Sequence, residues 1–252
     1  MKNSLKFKFL YYKNILNHEK YNAILLLCLF CSFISSYDIP NNLNYEEAFL
    51  SHISSGLFQL LLFIILFITS ITTYTICYRK ISSMLRYANK NIYISNIMKN
   101  ITIINLIIFL CYILMSSTII TIKHFTTIAF TSMSIYNIPY IIYNIFTIIK
   151  YFFIINFIIL FSMLFYIKFN KIIGFLCFSL LLILKDGYLY TFNIINTVFK
   201  IKLFFGYYLL PIQYKSFYLE VICSIIYIVI IYCLYHVVKK VFMKYGNIKY
   251  ED

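Results

Sequence analysis

Residues 57–76 (LFQLLLFIILFITSITTYTI) and 101–122 (ITIINLIIFLCYILMSSTIITI) carry no charge, and between them lies 78–100 (YRKISSMLRYANKNIYISNIMKN). The apolar runs hold 20 and 22 residues. At about 1.5 Å of helix per residue, each crosses a hydrocarbon core roughly 30 Å thick. The intervening stretch bears Arg79, Lys80, Arg86, Lys90 and Lys99 and no acidic residue. Lys and Arg near span ends are retained on the cytoplasmic side, so this loop is expected to face the cytoplasm. That orientation fixes the rest of the chain.

Composition agrees with lipid as the solvent. The chain of 252 residues is 62% hydrophobic and 12% charged, against roughly 25% charge in an average soluble domain. A soluble fold this apolar would lack the polar surface to stay in solution. The formal charge of +14 does not point to nucleic acid, because the basic residues sit in blocks between apolar runs and form no separate basic domain. They suit anionic lipid headgroups instead. Cys28, Cys31, Cys77, Cys111, Cys177, Cys223 and Cys233 all fall within or beside apolar runs, as small hydrophobes do. Cys28 and Cys31 form C-x-x-C, but without the strand-and-helix setting of a redox motif or a second ligand pair for zinc.

Working outward, residues 1–20 interleave Lys2, Lys6, Lys8, Lys13 and Lys20 with aromatic and aliphatic residues, a pattern for a helix lying in the interface. A plain charged tail and a signal peptide are the other readings of this segment. The first span is expected at 21–37, followed by an outer loop, 38–55, with Asp38, Glu46 and Glu47 and no Lys or Arg. After the third span an outer stretch runs to about Asn144, and a fourth span follows at about 145–167. Lys168 and Lys171 mark a short cytoplasmic turn. The fifth apolar run, 172–184, is only 13 residues and needs continuation through Tyr188, Leu189 and Tyr190 to cross comfortably. From there to Pro211 the chain is aromatic but broken by Lys200, Lys202 and Gly206, which reads as a re-entrant or interfacial segment. The last span is expected at 217–238, and residues 239–252 form a basic cytoplasmic tail. This threading places 16 Lys and Arg inside and 6 outside, a clear inward bias. The expected fold is an all-α polytopic membrane protein forming one transmembrane domain over residues 1–252. It has six helices, both termini cytoplasmic, and a cell-membrane location.

Catalytic motifs are absent: no G-x-x-x-x-G-K-[ST], no H-E-x-x-H and no G-x-S-x-G. Glu46-Glu47 beside a span is the arrangement of some membrane proteases, but no Arg follows it. No metal ligands or cofactor are assigned to this chain. Charges at bilayer depth cost at least roughly 2.5–3.5 kcal/mol and are functional candidates. Lys150, Lys185, Asp186 and Glu220 fall near outer span ends, with His236 near an inner one. Two readings of them stand: snorkelling to the headgroups, or an outer polar patch in which Asp186 and Glu220 meet Lys150 or Lys185 at a gate. Ser70, Thr72, Thr73 and Thr75 read as hydrogen-bonding glue between helices. An ion-coupled carrier would need charges buried mid-span, which the pattern does not present.

Tyr78-Arg79-Lys80, the stretch Met84-Leu85-Arg86-Tyr87-Ala88-Asn89-Lys90, and Ile97-Met98-Lys99-Asn100 leading into a span together resemble the cytoplasmic loop of permease subunits of type-2 ABC exporters of the low-GC Gram-positive kind. The likeness covers about 20 residues and extends to the order of basic N-terminal segment, six spans and broken aromatic segment before the last. It implies an elbow helix at the N-terminus and an ATPase-coupling loop comprising Arg79, Lys80, Arg86, Tyr87, Asn89, Lys90 and Lys99. It also implies a separate ATP-binding subunit and a second permease chain, as homo- or heterodimer. ATP would be used only through that partner, so the chain itself is not an enzyme. A large outer domain is missing, which leaves the substrate open. Expected cargo is amphipathic, an antimicrobial peptide (with self-immunity, bacteriocin immunity) or a lipid-linked molecule. The rival is a non-transport membrane scaffold or assembly protein.

Overall fold

Chains rich in Ile and Thr favour strands in water, yet in hydrocarbon every backbone N–H and C=O must find a partner within its own segment or in a closed barrel. Here the helical solution is taken. The computed structural model describes residues 11–37, 39, 43–78, 89–124, 134, 137–186 and 216–245, without the side chains of 182–186, 227 and 245. Helix α1 spans Glu19–Tyr37, α2 Tyr45–Ser54, α3 Gly56–Cys77, α4 Lys90–Lys123, α5 Tyr140–Lys168, α6 Lys171–Asp186 and α7 Phe217–Tyr245. No β-strand occurs among the described residues. Five helices, α1, α3, α4, α5 and α7, are long and apolar enough to cross a bilayer, and the protein is an all-α polytopic membrane protein. Helix α6 is apolar too, but its 16 residues extend only about 24 Å. The continuation through Tyr188–Tyr190, the aromatic segment up to Pro211, Arg79, Lys80, Arg86 and Tyr87, and residues 1–10 and 246–252 lie outside the described residues.

Several boundaries differ from the sequence expectation. The third span begins at Lys90 rather than Ile101, so the second half of the basic stretch is helix. Asn89 caps it, its Oδ1 accepting from Asn91 N at 2.8 Å, and Tyr93, Ile94, Ile97, Met98 and Ile101 bury one face at helical spacing. At 34 residues, α4 is about 50 Å long and outruns the hydrocarbon by several turns. The outer stretch 38–55 is not all loop, since α2 fills Tyr45–Ser54. Glu46 and Glu47 occupy its first turn, where the helix dipole favours carboxylates, and Ala48, Phe49, His52 and Ile53 form its buried face. Helix α5 starts at Tyr140 rather than 145, and α7 continues through Lys239 and Lys240 to Tyr245.

Side-chain contacts set the register. Tyr21 of α1 shares a 2.8 Å hydrogen bond with Thr73 near the end of α3. Tyr93 OH donates to Tyr78 O at 2.6 Å, setting the start of α4 beside the end of α3. Lys123 Nζ donates to Ile39 O at 2.6 Å, and His124 Nδ1 to Leu43 O at 3.1 Å, so α4 finishes beside the end of α1. Helices α5 and α7 run parallel, with Phe157 near Tyr235 and Phe165 against Phe242. The helices therefore alternate in direction. One end of the bundle collects Lys90, Lys99, Lys168, Lys171 and Lys239, and is the basic end. Helices α1, α3 and α4 pack together on one side, α5 joins them to α6 and α7, and α7 packs chiefly on α5.

In the core, Ser70 Oγ and Asn105 exchange hydrogen bonds of 2.9 and 3.2 Å between α3 and α4. Thr75, by contrast, bonds its own helix at Thr72 O. Phe67 of α3 stacks on Phe178 of α6 with ring centroids 4.0 Å apart. Gly174 lets α6 approach α5 so closely that a Cβ there would lie 2.6 Å from the Cβ of Tyr166, the small-residue contact that membrane helices use.

Candidate functional site

The most costly side chains to place in hydrocarbon are Lys150 and Glu220, and the fold brings them together. Lys150 lies near the middle of the buried face of α5, while Glu220 sits in the first turn of α7. Lys150 Nζ lies 2.5 Å from Glu220 Oε1, and the two residues are 2% and 0% exposed. Snorkelling is thereby overturned for both: at about 15 Å from the start of α5, the ammonium turns inward to a partner rather than outward to headgroups. One buried charge, Lys150, lies within a helix rather than at its end, and its partner lies in the first turn of α7.

The remaining valences are met locally. Tyr143 OH reaches both Glu220 carboxylate oxygens at 3.2 Å. The Lys150 ammonium also sits 5.2 Å from the centroid of the Phe146 ring, an added cation–π attraction. Phe217 covers the site, its ring 5.3 Å from that of Phe146 and 6.1 Å from that of Tyr143. Ser224 Oγ bonds Glu220 O at 2.6 Å. Glu220 also gains from the α7 dipole, which favours an anion in the first turn. Chemically this is a dry latch. The pair holds α5 to α7 and can open only if water, an ion or another polar group replaces each partner, because an unpaired charge at this depth is costly. Lys185 and Asp186, expected in the same patch, end α6, and their side chains lie outside the described residues.

The same end of the bundle carries further polar links. Gln59 Nε2 donates to Tyr151 OH at 2.8 Å and to Ile53 O and Ser54 O at 3.3 Å, tying α3 to α5 and to the end of α2. His52 of α2 is 1% exposed and packs edge-on against Phe58, centroids 4.6 Å apart. Neither ring nitrogen makes a well-formed hydrogen bond. Burial pushes its pKa down to about 4, a backbone group of Ser35 opposing only weakly. The buried hydroxyls of Tyr112 and Ser116 on α4 likewise make no well-formed hydrogen bond.

At the basic end, Asn89 is the cap of α4, Lys90 its first residue, and Lys99 is exposed on it. Asn100 is the junction there. Its Oδ1 accepts from Tyr12 OH at 2.9 Å, and its Nδ2 bonds the hydroxyls of Tyr78 and, at 3.4 Å, Tyr11. The segment preceding α1 is thus pinned to the bases of α3 and α4. Sequence reasoning missed this junction and Tyr143; the available signal was a Tyr or Asn recurring at span ends. Cys28 and Cys31 are buried and unbridged, while Cys233 faces outward. Among the described residues no group of three or more His, Cys, Asp or Glu could hold a metal. No family model, no curated protein and no solved structure matches the chain.

Proposed function

We propose that the chain is the membrane-spanning permease subunit of an ATP-driven exporter, working with a separate ATP-binding subunit and a second permease chain on amphipathic cargo such as an antimicrobial peptide or a lipid-linked molecule. What supports the reading is the basic end of α4. A single 34-residue helix runs from beyond the hydrocarbon into contact with α1, α3 and α5. Its protruding turns bear Lys90 and Lys99, and Asn100 fastens the N-terminal segment to it. A stiff rod anchored this way converts a push at its base into movement of packed helices, which a flexible loop would absorb. By the positive-inside rule this end faces the cytoplasm, with Asn89, Lys90 and Lys99 at the docking surface. Lys150 and Glu220 then close the opposite, outward end.

In this reading the chain performs no covalent chemistry and ATP is hydrolysed by the partner. Purification in mild detergent should recover a soluble subunit carrying a Walker A motif. The double charge reversal Lys90→Glu/Lys99→Glu should release it while the chain remains folded. Recovery of the chain without any nucleotide-binding subunit would end the exporter reading. The scaffold reading would then gain, for it draws on α7, whose Ile222, Ile226, Val229, Ile230 and Val237 are all more than half exposed and offer a broad apolar face for lateral assembly.

A further inference from the structure

Lys168 ends α5 beside the C-terminal turns of α7. Its Nζ lies 4.8 Å from the ring centroids of both Phe169 and Phe242, and Phe242 in turn packs on Phe165 with centroids 5.0 Å apart. Lys239 precedes Phe242 by one turn of α7 and shares its face. Both lysines are partly buried, so the seam between α5 and α7 gathers two ammonium groups around one aromatic ring. At 1.5 Å per residue Lys239 stands about 33 Å along α7 from Phe217, which is headgroup depth.

Among the described residues no carboxylate answers them. Glu46, Glu47, Asp186 and Glu220 lie at the opposite end of the bundle, and Glu19 begins α1, which packs on α3 and α4. The aromatic faces attract an ammonium, but they leave its charge uncancelled and its N–H groups able to donate. Two like charges at a partly desolvated seam repel each other, so an anion set between them gains from both. Deeper in the bilayer the stripe that carries Lys239 turns apolar. Tyr232 and Ile225, about two and four turns further in, are 50% and 56% exposed. An anion that carries a hydrocarbon chain therefore fits both parts of this surface.

We propose that the seam of α5 and α7 binds an anionic phospholipid: its phosphate oxygens accept from Lys168 and Lys239, and an acyl chain follows Tyr232 and Ile225 toward the bilayer centre. Basic pockets between membrane helices hold anionic headgroups in this way. The lipid clamps α7 to α5 at the end opposite Lys150 and Glu220. A choline headgroup brings its own cation to the two lysines and is disfavoured. This site goes beyond the transport reading and stands whether or not an ATPase partner exists.

The full chain, stripped of lipid in a neutral maltoside detergent, is titrated with phosphatidylglycerol, phosphatidylcholine or glycerol phosphate and heated. Phosphatidylglycerol should raise Tm saturably, and the other two should not. A rise with glycerol phosphate equal to that with the lipid would mean a soluble phosphate site and overturn the lipid assignment. At about fivefold for each lysine, Lys168→Gln/Lys239→Gln should weaken phosphatidylglycerol binding about 30-fold. Lys168→Arg/Lys239→Arg keeps both charges and should keep the binding; an equal loss there would trace the effect to packing on Phe242 and overturn the proposal. Lys13→Gln/Lys20→Gln removes the same charge beside α1 and should change binding less than threefold. No rise with phosphatidylglycerol, an equal rise with phosphatidylcholine, or as large a loss from Lys13→Gln/Lys20→Gln would each overturn the proposal, the last by showing diffuse attraction to the whole basic end.

Discussion

The two sides of the bundle are joined by different means. Where α1, α3 and α4 meet, the polar links are mostly uncharged and spread along the helices: Tyr21 with Thr73, Ser70 with Asn105, Tyr12 with Asn100. Where α7 meets α5, one buried ion pair and its tyrosine are the chief polar link among the described residues, on a helix most of whose other residues are turned outward. In lipid an apolar helix face gains little by exchanging acyl chains for a neighbour's side chains, so polar contacts and close packing decide which helices associate. Three helices tied by many weak links tolerate the loss of one. A helix tied, among the described residues, chiefly by one strong link does not.

Breaking that strong link is therefore the largest expected effect. Glu220→Leu leaves Lys150 buried without its partner and should cost about 3–5 kcal/mol, read by unfolding in mixed detergent. The double variant Lys150→Met/Glu220→Leu removes both charges and should recover most of the loss. If the single variant costs no more than the double, the ion pair is not what holds α7. Glu220→Gln tests the gate assigned to it under the exporter reading: unchanged folding together with unchanged export would remove that role.

On the other side of the bundle the sensitive group is His52, a buried titratable ring packed against Phe58. Its folded pKa, about 4, lies below the ordinary value near 6.5. Between those values the unfolded chain binds a proton that the folded chain refuses. Stability is then fully present above about pH 6.5 and declines as pH falls toward 4, by roughly 3 kcal/mol in all. His52→Phe, which keeps the contact with Phe58, should flatten the acid limb of a Tm-against-pH curve. An unaltered limb would place the sensitivity elsewhere.

How legible this was in the sequence depends on what each residue signals locally. Spans such as Gly56–Cys77 are readable because length and the absence of charge are sequence properties. Helix α2 was obscured by the acidic Glu46-Glu47, which mark a loop in a topology count but a helix N-terminus in the fold. The basic stretch concealed the start of α4, because Lys90 in its first turn and the exposed Lys99 masked the buried Tyr93, Ile94, Ile97 and Met98 between them. Lys150 and Glu220 stood out as charges in apolar runs, but 70 residues separate them, and nothing in the chain says which lysine meets which carboxylate. Pairing is a property of helix packing, which a positive-inside count does not address.

Packing closeness gives the next effect in size. Gly174→Ala puts a methyl 2.6 Å from Tyr166 Cβ and 2.8 Å from its Cα, and the backbone cannot step aside without moving α6 from α5. Overpacking of this kind costs about 1–3 kcal/mol. The loss should appear as a lower Tm and as increased protease cleavage near Lys171. Should Gly174→Ala be neutral, α6 is held loosely, and the contrast between the two sides extends to it.

The smallest effect is the sharpest test of the comparison. A double-mutant cycle with Ser70→Ala and Asn105→Leu isolates the coupling between α3 and α4. Interhelical hydrogen bonds between uncharged groups in membranes average about 0.6 kcal/mol and reach about 1.7. The reciprocal bonds of 2.9 and 3.2 Å should fall within that range. Measured in the same detergent, the Lys150/Glu220 cycle should give a larger coupling, since each partner alone strands a charge rather than a dipole. If the Ser70/Asn105 coupling equals it, the ion pair is hydrated in practice and α7 is held by its aromatic contacts at Phe157, Phe165 and Phe242.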